Sequence, residues 1–210
     1  MAKQVWIVWN DRYHPAENYR DLVNQVFNQQ DWTVTVSESV RDLLLLEKAP
    51  DLFMSLSAGL AVDEPPLNDE ERQQIMTMVE SGMGCLFVHA ALSGFEKDTH
   101  LHALTLGRFI SHQPQPIPVT SVAIPGIDHP IMRDFVPFTG DDEHYFCQVR
   151  LAEVTPFLCT LSELGTEIGG WSYERGRGRI ACVTPGHKGE ILEKMVPLLK
   201  NAADWCVFVR

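Results

Sequence analysis

The stretch "GCLFVHAALSG", residues 84–94, joins a wholly apolar run to a histidine, then to small residues and a glycine. An apolar run without alternation is the mark of a strand buried on both faces, which belongs to a parallel sheet covered by helices on each side. In an extended strand Cys85, Phe87 and His89 share one face. Cys85 then lies well back in the sheet, while His89 stands at the carboxyl end, where such sheets bind ligands. That junction is where α/β enzymes of the nucleophile-elbow type set the attacking side chain on a sharp strand-to-helix turn. A cysteine-based acyl transfer there is disfavoured, because the residue at the turn is His89 and not Cys85. Taken alone, His89 is equally well read as a core histidine with a satisfied hydrogen bond.

The flanking sequence repeats the strand–helix rhythm. "QVWIVW" (4–9) reads as a strand, and after Pro15 the spacing of Tyr19, Leu22, Val23, Val26 and Phe27 predicts an amphipathic helix. "WTVTVSES" (32–39) is a second strand, "VRDLLLL" (40–46) a short helix and "DLFMSL" (51–56) a third strand. Asn68 followed by Glu71 is a capping box opening a helix that buries Ile75, Met78 and Val79. Strands alternating with helices specify an α/β fold with a mostly parallel sheet. Further on, 117–124, 144–151 and 156–161 are strand-like, and "IGGWSYERGRGRIACV" (168–183) reads as a hairpin turning at Arg175–Gly178. The last helix carries Ile191, Met195, Leu198, Leu199 and Trp205, and Pro197 is expected to bend or divide it. No repeat or linker interrupts residues 1–210, so a single domain is expected.

Composition narrows the partners. The 210 residues carry a formal net charge of −11, with acids spread along the chain. Such a surface repels phosphate backbones and anionic lipid, so neither nucleic acid nor membrane is expected as a partner. No apolar run is long enough to span a bilayer, and the N-terminus lacks the pattern of a signal peptide. The five cysteines are odd in number, scattered and without a CxxC pair, as for reduced thiols. A cytoplasmic protein is expected. The apolar tail "WCVFVR" (205–210) is a candidate for docking on the core or pairing with a second subunit, as in a homo-oligomer.

Four histidine-bearing segments fall where this architecture gathers its loops: "WNDRYHP" (9–15), "VHAA" (88–91), "DDEHYF" (141–146) and "TPGH" (184–187). Each has an ordinary reading as a turn or a solvated acidic loop, and His129 in "DHPI" reads as a helix cap. His100, His102 and His112 have no evident partner. Together, two or three imidazoles and one carboxylate have the chemistry of a divalent-metal site. They equally suit an acid–base pair, since imidazole titrates near neutrality.

The same segments resemble the ThuA family, named for a trehalose-utilisation protein. "VWNDRYHP" (8–15) is similar to that family's opening V-W-N-E-x-x-H, and "SGMGCLFVHAALSGF" (81–95) to its G-M-G strand ending in L-H-S/A. "DHPIMRDFVPFTGDDEHYF" (128–146) resembles its H-P-I followed by E/D-E-x-Y. "GGWSYERGRGRIACVTPGH" (169–187) resembles its W-x-x-x-x-G-x-G-[KR]-[IV] close with G-H, and "NAADWC" (201–206) its terminal N-A-x-x-W-A. The matches keep their order from residue 5 to about 206. The resemblance implies a flavodoxin-like three-layer sandwich akin to the class I glutamine amidotransferases, whose nucleophilic cysteine is replaced here by His89, so that amidotransferase activity is not expected. It implies His89, Glu143 and His187 as catalytic residues, Asn10, His14, Tyr145 and Trp171 as substrate-binding residues, and His14, His89, Glu143 and His187 as ligands of a divalent metal such as zinc or manganese. No nucleotide cofactor is implied. Asp11 and Pro15 depart from the family's usual Glu at those positions, and the segment between residues 56 and 68 is short.

Two functions follow as expectations. One is an enzyme of carbohydrate catabolism, an isomerase, epimerase or hydrolase acting on trehalose or a related sugar or ketosugar. The other is a non-catalytic small-molecule-binding or sensory module on the same fold.

Overall fold

The computed structural model describes residues 2–58, 64–93 and 102–207, with the side chain of His102 left aside. In chain order the strands are β1 (Lys3–Val8), β2 (Trp32–Ser37), β3 (Leu52–Ser55), β4 (Gly84–Val88), β5 (Gly107–Ser111), β6 (Ile117–Ala123), β7 (Phe138–Asp142), β8 (Phe146–Val149), β9 (Thr155–Ser162), β10 (Gly165–Arg175) and β11 (Gly178–Val183). The helices are α1 (Arg20–Val26), α2 (Asp69–Glu80), α3 (His102–Thr105) and α4 (Glu190–Cys206), with short 3-10 segments between them.

One nine-stranded sheet runs in the order β2-β1-β3-β4-β11-β10-β9-β6-β7, and β5 pairs with β8 in a separate ribbon. From β2 to β11 every pairing is parallel; from β11 to β7 every pairing is antiparallel. The expectation of a mostly parallel sheet therefore describes one half of it. The second half is antiparallel because its strands are joined by short connections such as Arg175–Gly178, which cannot carry a crossover.

Alternation along the parallel strands builds a core on each face. Val5, Ile7, Leu52, Met54, Leu86, Val88, Ala181 and Val183 pack toward α1 and α4. Val8, Phe53, Cys85, Phe87, Ile180 and Cys182 pack toward α2 and Leu104 of α3. Helices thus cover both faces, and β4 is fully buried, as its unbroken apolar run requires. None of the described helices is long and apolar enough to cross a membrane.

Several local expectations hold, and one strand ends early. Asn68 accepts the Glu71 N–H, and Glu71 reaches back to the Asn68 N–H, completing the capping box. His129 caps the turn Pro130–Met132 by accepting the Ile131 N–H. The strand read at 84–89 ends at Val88, because His89 adopts a left-handed φ of 47°. Helix α4 runs undivided through Pro197. A proline inside a helix costs about 3 kcal/mol, and here Met195, Val196, Leu198 and Leu199 are buried on both sides of it, so packing outweighs the loss. The apolar tail assigned to docking or pairing extends to residues 208–210, which lie outside the described residues, as do 59–63 of the short segment and His100.

Removing the α2 cap tests the helix that roofs one core. Asn68→Ala is expected to lower stability by about 1 kcal/mol, read as a shift in the urea midpoint at unchanged slope.

Candidate metal centre

The parallel register sets the strand ends side by side: Val8 pairs with Ser55, Ser55 with Phe87, and Val88 with Val183. The residues that follow β1, β4 and β11 are consequently neighbours. At two of these exits the backbone is forced into the left-handed region at a residue other than glycine, Asn10 at φ 72° and His89 at φ 47°. Such a conformation costs on the order of 1 kcal/mol or more at a residue with a Cβ, least for Asn, and persists where its surroundings impose it. At His89 it turns the chain abruptly out of the sheet, as the elbow reading requires.

His14, His89 and His187 meet there, with ring centroids 5.1–5.5 Å apart. Glu143, between β7 and β8, completes the group: its Oε2 lies 3.3 Å from His89 Nε2 and 3.5 Å from His187 Nδ1. One donor atom from each of the four residues falls within 4.8 Å of all the others. Among the described residues, no second group of three or more His, Cys, Asp or Glu converges in this way.

The other nitrogens of two rings decide what the converging ones can do. His14 Nδ1 donates to Asp11 Oδ1 at 2.9 Å, and His89 Nδ1 donates to the Thr184 carbonyl at 2.8 Å. In the neutral rings both Nε2 atoms are therefore bare lone pairs. His14 Nε2, His89 Nε2 and His187 Nδ1 are all buried with no hydrogen-bond partner among the described residues. Two buried lone pairs, a third buried ring nitrogen and a carboxylate facing one another call for a cation or a proton between them. A ring nitrogen held by a carboxylate or carbonyl while the other faces inward is the usual support of a metal-binding histidine.

Charge is tuned to match. Burial pushes His187 down to about 4, with Glu143 opposing and His89, His14 and Lys188 adding to the fall. Glu143 is held below the ordinary carboxylate range: burial pushes it up, but the contact with His89 and the fields of His89, His187 and His112 prevail. Asp11 is lowered as well, against burial, by His14 and by the N–H groups of Tyr13 and Ala58. The His187 loop is clamped from two sides. Asp142, whose carboxyl is raised by burial, accepts the Gly186 and His187 N–H groups at 2.8 and 2.9 Å, and Tyr19 Oη donates to the carbonyls of the same two residues. Gly186 itself needs φ 129°, a conformation open to glycine.

Of the seven residues singled out from the sequence, His14, His89, Glu143 and His187 come together, and Tyr145 joins them by stacking on His89 at 4.1 Å between centroids. Asn10 does not. Its amide donates to Glu38 and its carbonyl oxygen accepts the Ala16 N–H, so it shapes the loop that carries His14. Trp171 is fully buried in the core on the α2 face, and its indole N–H donates to the Thr105 carbonyl at 2.6 Å. Cys85 lies in the same core, 0% exposed, its thiol pushed well up by burial. Asp11, Asp142 and His112 escaped the motif reading. Asp11 lies three residues before His14, and that spacing was the available signal; nothing in the sequence near His112 marks it.

A model of the family described as ThuA, trehalose utilisation, matches residues 4–206. The chain belongs to the ThuA family. Among solved structures, this ThuA chain is similar to a ThuA-like protein of Parabacteroides merdae, at a TM-score of 0.76 and 14% identity over 99% of this chain and 90% of that one. A ThuA-like protein of Bacteroides uniformis superposes at 0.71, with 18% identity over 97% and 91%. The cold-adapted β-galactosidase of Rahnella sp. R3 matches at 0.60 and 11% identity over 95% of this chain but 31% of its own. At these identities the likeness is one of fold. No curated protein matches the chain.

Two predictions follow from the site's surroundings. Trp171→Ala is expected to destabilise the fold by about 3–5 kcal/mol, checked by chemical denaturation, as for a core residue. His187, neutral in the fold down to about pH 4, takes up a proton in the unfolded chain near pH 6.5. Its contribution to stability is therefore complete above pH 6.5 and lost as the pH falls toward 4. In chelator, His187→Asn should flatten the fall of the urea midpoint across that window. An unchanged slope would assign it to His129 and His144, which burial also lowers.

Proposed function

We propose that this ThuA protein is a metal-dependent enzyme of sugar catabolism. The substrate in view is trehalose or a related sugar or ketosugar, and the reaction an isomerisation, epimerisation or hydrolysis. The observation that carries the reading is the convergence of three buried, unpartnered imidazole nitrogens and one carboxylate, with two tautomers set from behind by Asp11 and Thr184. The family description supplies the substrate class. Nitrogen and carboxylate donors suit zinc or manganese, and four protein donors of this kind leave room for substrate at an ion that expands its coordination.

His14, His89, Glu143 and His187 would hold the ion. Once bound, it supplies Lewis-acid polarisation of a carbonyl or hydroxyl oxygen. Asp11 keeps His14 oriented and electron-rich, and the Thr184 carbonyl does the same for His89. Glu143, held anionic, is the group able to take a proton from a substrate carbon or hydroxyl beside it. Tyr145 closes one wall by stacking on His89 and keeps water from that side of the ring. Cys85 takes no part, because its thiol is buried mid-sheet and its thiolate is disfavoured, which argues against amidotransferase chemistry.

Metal analysis tests the reading. Purified protein is expected to hold about one equivalent of zinc or manganese per chain, with His89→Ala and His14→Ala reduced to background. Asp11→Asn should weaken metal affinity about 10–100-fold without abolishing it. Wild type with no affinity for either ion sinks the proposal. Protein that binds metal and sugar without turnover is a binding module instead.

A further inference from the structure

We infer that His112 grips the substrate at the mouth of the site, its Nε2 accepting a hydroxyl hydrogen from a neutral polyhydroxylated ligand. The inference rests on the metal-centred sugar reading and adds to it a recognition residue and a charge class for the substrate. His112 follows β5 and is not one of the four converging residues. Its Nε2 lies 3.8 Å from Glu143 Oε2. Side-chain exposure rises along the line His89, His187, Glu143, His112, at 0, 11, 15 and 31%. His112 is therefore on the solvent side of Glu143, at the entrance and not in the cluster.

The ring is held there by contacts that have no use in the core. The neighbouring Gln113 side chain brackets Glu143: its Nε2 donates to the Asp142 carbonyl at 2.9 Å, and its Oε1 accepts the His144 N–H at 3.0 Å. One amide thus fastens the end of β5 to the backbone on each side of the carboxylate. His112 Nδ1 donates to the Gln113 carbonyl at 2.6 Å, so the neutral ring presents Nε2 as an acceptor. Tyr145 lies between His89 and His112, nearly parallel to both, at 29° and 22°. Phe109 packs against Tyr145 and His112, at 4.6 and 5.6 Å between centroids. A file of rings therefore leads from the buried cluster to the surface.

The chemistry of that entrance is selective. An imidazole lone pair beside a carboxylate is a pair of acceptors, matched by hydroxyl donors and repelling phosphate or carboxylate groups. Phe109, half-buried beside His112, offers an apolar ring to C–H bonds. Hydroxyl donors together with apolar C–H faces define a neutral carbohydrate, not a sugar phosphate or a sugar acid.

Calorimetry on the zinc-loaded protein tests this with trehalose, glucose, glucono-1,5-lactone and trehalose 6-phosphate as probes. His112→Phe keeps an aromatic ring but no acceptor and is expected to bind the best neutral sugar about tenfold more weakly. His112→Gln, which restores an acceptor, should recover most of that loss, and both variants should keep the zinc stoichiometry and melting temperature of wild type. If His112→Phe binds sugar as tightly as wild type, the assignment of His112 is overturned while the metal site stands. Zinc-loaded wild type that binds none of the neutral sugars, or prefers trehalose 6-phosphate, overturns the substrate class. Wild type that holds no zinc or manganese removes the reading beneath, and the inference with it.

Discussion

The register of the four parallel strands β1, β3, β4 and β11 is the constraint on which the site depends. Parallel pairing brings their carboxyl ends to one edge, so residues far apart in the chain leave the sheet at adjacent strand ends and their loops converge there. A one-residue slip would exchange the faces of every side chain on a strand and move its exit by about 3.3 Å. That displacement is comparable with the 3.3 and 3.5 Å separations between Glu143 and its histidines. The two cores hold the register by filling both faces of β4, and the cluster at the strand ends inherits that precision.

What holds the histidines is one backbone carbonyl and two carboxylates. Thr184 offers His89 a carbonyl, Asp142 collects the two N–H groups of the Gly186–His187 turn, and Asp11 folds its own loop before it reaches His14. Three acidic side chains thus act at different depths. Asp11 orients a ring, Asp142 shapes a turn, and Glu143 faces the centre. Only Glu143 is both anionic and turned toward the converging nitrogens, which separates its role from those of its neighbours.

The parallel half of the fold was legible because burial on two faces leaves uninterrupted apolar runs such as "GCLFV", and because Asn68 with Glu71 signals a cap chemically. The strand β7 was not, since "FTGDD" is short, polar and at the sheet's edge, where one side of the backbone faces solvent. The strand read at 144–151 begins two residues late, at Phe146, because Glu143 and Tyr145 are turned into the site instead of being paired in a sheet. The candidate cluster could be read from its four histidine-bearing segments and from the family resemblance. Trp171 could not be told from a binding-site aromatic, because a hairpin tryptophan looks the same in sequence whether it faces a pocket or a core. His112 depends on the docking of a ribbon through Gln113, a tertiary event with no local pattern.

The turn at His89 separates shape from chemistry. Its left-handed backbone stands where a fully buried strand ends and a 3-10 turn begins. At that corner stands an imidazole whose lone pair is fixed inward by the Thr184 carbonyl behind it. The expensive part is the strained corner itself, held by two filled cores. The reaction at such a corner is therefore a matter of the side chains it carries, and the architecture that aims them does not by itself fix it.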